Sequence, residues 1–372
     1  MLTTLKYTFI LMVVLLESQD ITALPRLLAG NNLDDDSDEE NSRPVIPWNY
    51  RADKGPHKWG QMFPYQCAGS MQSPIAIQTI NTKRKEWAPL ELNGYGDTDG
   101  KRMTLTNLGT TGGLIVGSDA IHEADEGTVV DDDIDNGGDV DKDYGDECYY
   151  VHADGDDDGD DDGYNDDGDV DDDVELMLEG NYTIRGGGLG GTYVADQVHF
   201  HWGFSNEQGS EHVLDRRKYP AEMHIVHHEQ SLIGDSIFHT PGGVAAIGVF
   251  IEIGEKNDAF EKLVKHLKEI KFKDESQLVT EPIRLTELFP KNRSQFYRYI
   301  GSLTTPPCYE VVTWTVLKQP ITISREQMSA LRGVFETTRH AYVYRTETPI
   351  LLQNNFRPAQ SINGRDVYRC GF

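Results

Sequence analysis

The stretch Gln197-Val198-His199-Phe200-His201-Trp202-Gly203 decides the architecture. It closes a strand-like run from Tyr193 to Trp202. In a strand, residues i and i+2 share a face, so Gln197, His199 and His201 point the same way. A second strand-like run, 221–228, puts Glu222, His224 and Val226 on one face. Three imidazoles from two neighbouring strands leave one corner of a tetrahedron open, which is the pattern of catalytic zinc. A metal-bound imidazole usually gives its other ring N–H to a carboxylate or amide oxygen. Gln197 and Glu222 each stand two residues before a histidine, on the right face for that task. His227 faces the opposite way and His228 lies a step further along, so both read as ordinary polar residues.

Working outward, further strands are expected at 103–106, 114–116, Val244–Ile253, 310–317 and 341–344. The clearest helix is 257–270, with Phe260, Leu263, Val264, Leu267 and Ile270 at i, i+3, i+4 spacing. A short helix is expected at 325–335. Many strands and few helices predict a mostly β (α+β) fold, one large domain around a sheet. The domain is split into 44–117 and 174–372.

Between the halves, residues 118–173 hold 23 Asp, 3 Glu and one Lys. This tract carries −25 of the chain's −28, so the rest is nearly neutral. It cannot bury enough apolar surface to offset the entropy of ordering, and a disordered insert is expected. The tract also explains why only 38% of the 372 residues are hydrophobic. The acidic excess disfavours nucleic acid and anionic membranes as partners. Asp158, Asp160, Asp162, Asp166 and Asp169 have calcium-loop spacing, since carboxylates are hard oxygen ligands. An Asp-rich tract makes such spacing by chance, and diffuse binding of calcium or a mineral surface is the expectation.

Lys6 and the apolar run 7–16 read as a secretory signal over 1–23, too short to span a bilayer. An acidic linker, 24–43, follows. No other stretch could span. Sequons at Asn181 and Asn292 agree with export. Cys67, Cys148, Cys308 and Cys370 suit an oxidising compartment, and their spacing fits neither a zinc ribbon nor a CxxC site.

The motif around His199 joins Ala221-Glu222-Met223-His224-Ile225-Val226 and Ser302-Leu303-Thr304-Thr305-Pro306-Pro307. With Gln72-Ser73-Pro74-Ile75 and Asn355-Phe356-Arg357-Pro358, these resemble the α-class carbonic anhydrase motifs in order. The resemblance implies a largely antiparallel sheet, a conical pocket and zinc held by His199, His201 and His224. Gln197, Glu222 and Asn355 would support the ligands. Reversible hydration of CO2 to bicarbonate is the implied activity, with zinc lowering the pKa of its bound water to about 7. Thr304 matches the threonine that orients the nucleophile, and Glu211 the glutamate that orients Thr304. Thr305 would contact bicarbonate. Val226, Leu303, Val312 and Trp314 match the CO2 wall, with Ala246 in place of a larger valine. Thr110 stands where the family often has a proton-carrying histidine. Secreted relatives imply a Cys67–Cys308 disulfide. A low-complexity insert at this place resembles the nacrein-like proteins of calcified shell matrix, so a secreted enzyme at an extracellular matrix is expected. The competing reading is a non-catalytic calcium-binding matrix protein on the same scaffold.

Overall fold

The structure is a computed structural model and describes residues 47–109 and 174–371. The proposed signal, linker, strand 114–116, acidic tract with its five aspartates, Thr110 and Cys148 lie outside the described residues.

The strands are β1 (Ala76–Ile77), β2 (Lys83–Arg84), β3 (Leu90–Asn93), β4 (Arg102–Asn107), β5 (Val174–Glu179), β6 (Thr183–Gly186), β7 (Tyr193–Trp202) and β8 (Val213–Leu214). They continue as β9 (Ala221–Glu229), β10 (Val244–Ile253), β11 (Glu275–Leu278), β12 (Phe296–Gly301), β13 (Val312–Leu317), β14 (Ile321–Ile323) and β15 (Tyr368–Cys370). The helices are α1 (Pro56–Met62), α2 (Ser236–His239), α3 (Asp258–Leu267), α4 (Arg325–Leu331) and α5 (Arg339–Tyr344).

Among the described residues thirteen strands form one sheet whose spine runs β11-β4-β5-β7-β9-β10-β13-β12-β15-β2. Its pairings are antiparallel except β10 with β13, β10 with β14 and β15 with β2. The expected largely antiparallel sheet is thus present, with parallel joints. Because β4 pairs with β5, the sequence before and after the acidic tract builds one domain.

The two faces of the sheet hold different cores. Ala245, Ile247 and Val249 of β10 join the larger core, which α3 covers with Phe260, Leu263 and Leu267. Phe260 meets Phe200 edge-on at 5.5 Å, and cutting it to alanine should cost about 3–5 kcal/mol. Val244, Ala246 and Phe250 face the smaller core with Trp314 and Val226.

A bulge sets which residues of β7 face which core. The register slips between Ala195 and Gln197, so Asp196 is an extra residue. Tyr193 and Ala195 lie in the larger core, and so do Val198, Phe200 and Trp202. The slip therefore turns Gln197, His199 and His201 to the other face. Without it they would share the face of Ala195.

Three local expectations need correction. The strand expected at 341–344 is helix α5. Thr338 caps it by accepting the Ala341 N–H at 3.2 Å, and Arg345 ends it in the left-handed region at φ 54°. Only Ala341 of this helix is buried, so the β-type side chains there gain little of the packing on which strand preference rests. The strand expected from 310 starts at Val312, where pairing with Val244 and Gly301 begins, and Glu310 before it accepts from Met71 N–H and Gln72 Nε2. The helices run shorter than expected. Asn257 is the cap of α3, accepting from Phe260 N–H at 3.0 Å, and α4 stops at Leu331.

Candidate metal centre

His199 and His201 come from β7 and His224 from β9, where His224 pairs directly with His199. All three are buried, and their ligand atoms lie within 4.8 Å of one another. His224 Nδ1 is 3.2 Å from His199 Nε2 and 3.1 Å from His201 Nε2. The outward nitrogens are all engaged. His199 Nδ1 donates to Gln197 Oε1 at 2.5 Å, His201 Nδ1 to the Asn355 carbonyl at 2.7 Å, and His224 Nε2 to Glu222 Oε1 at 2.8 Å. An acceptor on each outer nitrogen fixes the ring protons there, leaving three lone pairs turned inward. Three lone pairs this close repel unless a cation lies among them. A tetrahedral zinc with bonds of about 2.0 Å needs nitrogens about 3.3 Å apart, close to what is seen. The donor set fits zinc.

Burial and the neighbouring imidazoles push the pKa of His199 well below its usual value. Burial also brings His201 down to about 4 and lowers His224. Neutral imidazole is the form that binds metal.

The outer layer has a member the sequence reading passed over. His212 Nδ1 donates to Glu222 Oε1 at 2.6 Å, and its backbone N–H to Oε2 at 2.8 Å. Its Nε2 lies 2.7 Å from the Tyr299 hydroxyl. Glu222 thus braces His212 and His224 together. Burial pushes its pKa up, but those two rings outweigh burial and hold it well below the carboxylate range. On β10, Gly248 stands opposite His224, and a Cβ there would come 3.0 Å from Glu222 Oε1. The glycine leaves room for the carboxylate. The signal for His212 was its place beside Glu211 in Gly209-Ser210-Glu211-His212.

Glu211 is fully buried, with Oε2 3.5 Å from His201 Nε2 and 3.9 Å from His224 Nδ1. Among the described residues that oxygen has no hydrogen-bond donor, and an orphaned buried carboxylate oxygen beside three imidazoles fits a site for a cation. Its Oε1 accepts the Arg357 N–H at 2.7 Å. Burial pushes the pKa of Glu211 up to about 7, against the pull of His224, Arg357 and the Thr304 hydroxyl, which hydrogen-bonds it.

His199, His224 and Thr304 line one small pocket with Val226, Ala246, Leu303, Thr305, Val312 and Trp314. Val244 lines it too and was not singled out in the sequence. Thr304 and Thr305 ride on the loop after β12, and the expected Cys67–Cys308 disulfide ties that loop to the segment after α1. Arg357 adds a second tie, donating to Gln72 Oε1 and the Ser73 carbonyl, so the motifs at 72 and 355 meet. Asn355 uses its side chain to join Trp202 N–H and the Phe200 carbonyl, and only its own carbonyl to hold His201.

The rival histidines lie apart. His227 is buried on the other face, donating to the Ala245 carbonyl, with the Tyr95 hydroxyl on its Nε2. His228 pairs with Asp196 at 2.7 Å. Cys370 is buried with no disulfide partner among the described residues. Asn181 and Asn292 are both exposed. Among the described residues no helix is long and apolar enough to cross a membrane.

The model of the eukaryotic-type carbonic anhydrase family matches residues 54–132 and 169–371. The chain belongs to the eukaryotic-type carbonic anhydrases. Carbonic anhydrase 12 of Homo sapiens is 30% identical over 325 residues, 86% of this chain and 72% of its own length. Carbonic anhydrase 3 of Mus musculus is 39% identical over 191 residues, 51% of this chain and 70% of its own. Mitochondrial carbonic anhydrase 5A of Rattus norvegicus is 41% identical over 186 residues, 50% and 59% of the two chains. The protein is thus an enzyme of the carbonic anhydrase class, which hydrates CO2 and implies zinc. The stretch left out of the family match, 133–168, falls wholly inside the Asp-rich tract.

Proposed function

We propose that this carbonic anhydrase holds zinc with His199, His201 and His224 and carries out CO2 hydration in the pocket above them. The observation that carries this is the inward meeting of three imidazole nitrogens whose outer partners are all engaged. Zinc held there would supply water ionised near neutral pH. The remaining work falls to the chain. Glu211 accepts the Thr304 hydroxyl hydrogen bond, which leaves the Thr304 oxygen as an acceptor toward the pocket. An acceptor there orients a water by its hydrogen and so aims the lone pair. Val226, Leu303, Val312 and Trp314 hold apolar CO2 beside it and exclude competing water. Thr305, in the same pocket lining, would contact bicarbonate. Ala246, small for its place, widens the wall.

The test is metal analysis with a CO2 hydration assay on the full chain and on His224→Ala. One zinc per wild-type chain, with zinc and activity lost together in the variant, is expected. Stoichiometric zinc in folded His224→Ala protein overturns the ligand assignment.

We propose also that the enzyme works outside the cell, at a calcifying matrix, with the acidic tract binding calcium or mineral. The disulfide, the two exposed sequons and the −25 tract support this reading. Deleting residues 118–173 should leave zinc and fold intact and remove most calcium uptake by calorimetry. Equal uptake by both forms refutes the role. The non-catalytic alternative loses its support because every zinc histidine, Glu211 and Thr304 is present.

A further inference from the structure

Arg298 on β12 is 4% exposed, yet Nε, Nη1 and Nη2 are all buried without a hydrogen-bond partner among the described residues. Buried polar groups are nearly always paired, and an unpaired guanidinium, with five N–H donors, calls for an anion. Tyr299, its neighbour, reaches His212 near the zinc ligands, so Arg298 leaves the opposite face of the strand. There it lines a cleft of about 640 Å³ that shares no zinc ligand. The cleft's walls include Trp87, Tyr193 and Tyr368. Trp87 lies 5.8 Å from the guanidinium carbon. Lys85 Nζ stands at the same cleft, 5.0 Å from the Trp87 and Tyr368 ring centres.

The other charges at the cleft are already committed. Arg365 gives its donors to the carbonyls of Ile362, Met71, Ile300, Gln72 and Ser361. Asp366 pairs with Lys83 at 2.6 Å and accepts from the Tyr368 hydroxyl. Arg298 and Lys85 are left as cations toward the cleft. Gly188 keeps the Trp87 wall close, since a Cβ there would fall 2.4 Å from Trp87 Nε1.

We infer that this cleft is a second binding site, for a small organic carboxylate with an aromatic or apolar body. The flat two-oxygen edge of a carboxylate matches the guanidinium fork, and Lys85 adds charge at the mouth. The aromatic walls and the volume exceed what a bare inorganic anion would fill.

The test uses the zinc-loaded full chain, with benzoate as probe and benzamide, its neutral counterpart, as control. Binding is followed by tryptophan fluorescence and calorimetry in wild type, Arg298→Met and Lys85→Met. Expected is saturable benzoate binding that benzamide does not reproduce. It should be weakened at least tenfold by Arg298→Met, and severalfold by Lys85→Met. Benzoate at the zinc would persist in both variants and so be separated. Should Arg298→Met fail to fold, a wild-type crystal soaked in 4-bromobenzoate decides, since anomalous bromine density in the cleft is expected. Equal benzoate affinity in folded wild type and Arg298→Met, or density showing only water at the guanidinium, overturns the proposal.

Discussion

Replacing Glu222 by glutamine tests how the outer layer holds the metal. The carboxylate accepts three donors: His224 Nε2–H at 2.8 Å, His212 Nδ1–H at 2.6 Å and His212 N–H at 2.8 Å. Glutamine keeps one acceptor oxygen and turns an NH2 toward the remaining donor. Either both imidazole contacts, which share Oε1, are lost or the His212 backbone N–H on Oε2 is orphaned, and the charge that favours a cation is gone. Second-layer losses of this kind weaken metal binding about 10–100-fold, or roughly 1.4–2.7 kcal/mol. The assay is zinc competition against a chromophoric chelator, with thermal unfolding of the zinc-loaded protein as the folding control. Gln197→Ala removes a neutral acceptor from His199 and should fall at the low end, about tenfold. CO2 hydration at saturating zinc should fall less than affinity does. A folded Glu222→Gln protein whose zinc affinity stays within twofold of wild type would refute the reasoning.

Breaking the Cys67–Cys308 bond by Cys308→Ser frees a loop spanning a separation of 241 residues. The chain-entropy estimate is about 5 kcal/mol, an upper figure, so a melting point lowered by several degrees is expected, and an unchanged one refutes it. The Asp196 carboxylate pushes the pKa of His228 above 6.5. The charged pair therefore stabilises fully below 6.5 while Asp196 stays ionised, and the gain is lost as pH rises through the raised value. His228→Gln should cost more stability near pH 6 than near pH 9 in denaturant titrations; a cost that grows with pH contradicts the pairing. Because Thr110 holds no titratable group near neutral pH, proton export should limit kcat. Added imidazole should then raise kcat saturably, and Thr110→His should do so alone. A high kcat in weak buffer that imidazole leaves unmoved rejects this.

The histidine triad proposed to hold zinc was legible because its geometry is local. Strand alternation aligns Gln197, His199 and His201, and again Glu222, His224 and Val226, whatever the rest of the chain does. The amphipathic stripe of α3 was legible for the same reason. Thr304, Glu211 and the Cys67–Cys308 pairing came from motif resemblance, not from spacing. Only the folded chain decides contacts made across long sequence distances. The Asn355 carbonyl meets His201 from 154 residues away, and Arg357 meets Glu211 from 146. His212 reaches Glu222 only because the segment before β9 folds back beside that strand. The bulge at Asp196 leaves no period in the sequence, yet it chooses which core the histidines face. Residues 341–344 have strand composition but become α5, because the cap outweighs a local preference that burial of Ala341 alone does little to support. Arg298 lies on β12, a strand the sequence reading did not expect, and no motif marked it. Its isolation arises because tertiary packing surrounds it with rings and brings it no hydrogen-bond partner among the described residues. Periodicity is a property of a few bonds along the chain, while burial and partnership belong to the whole fold.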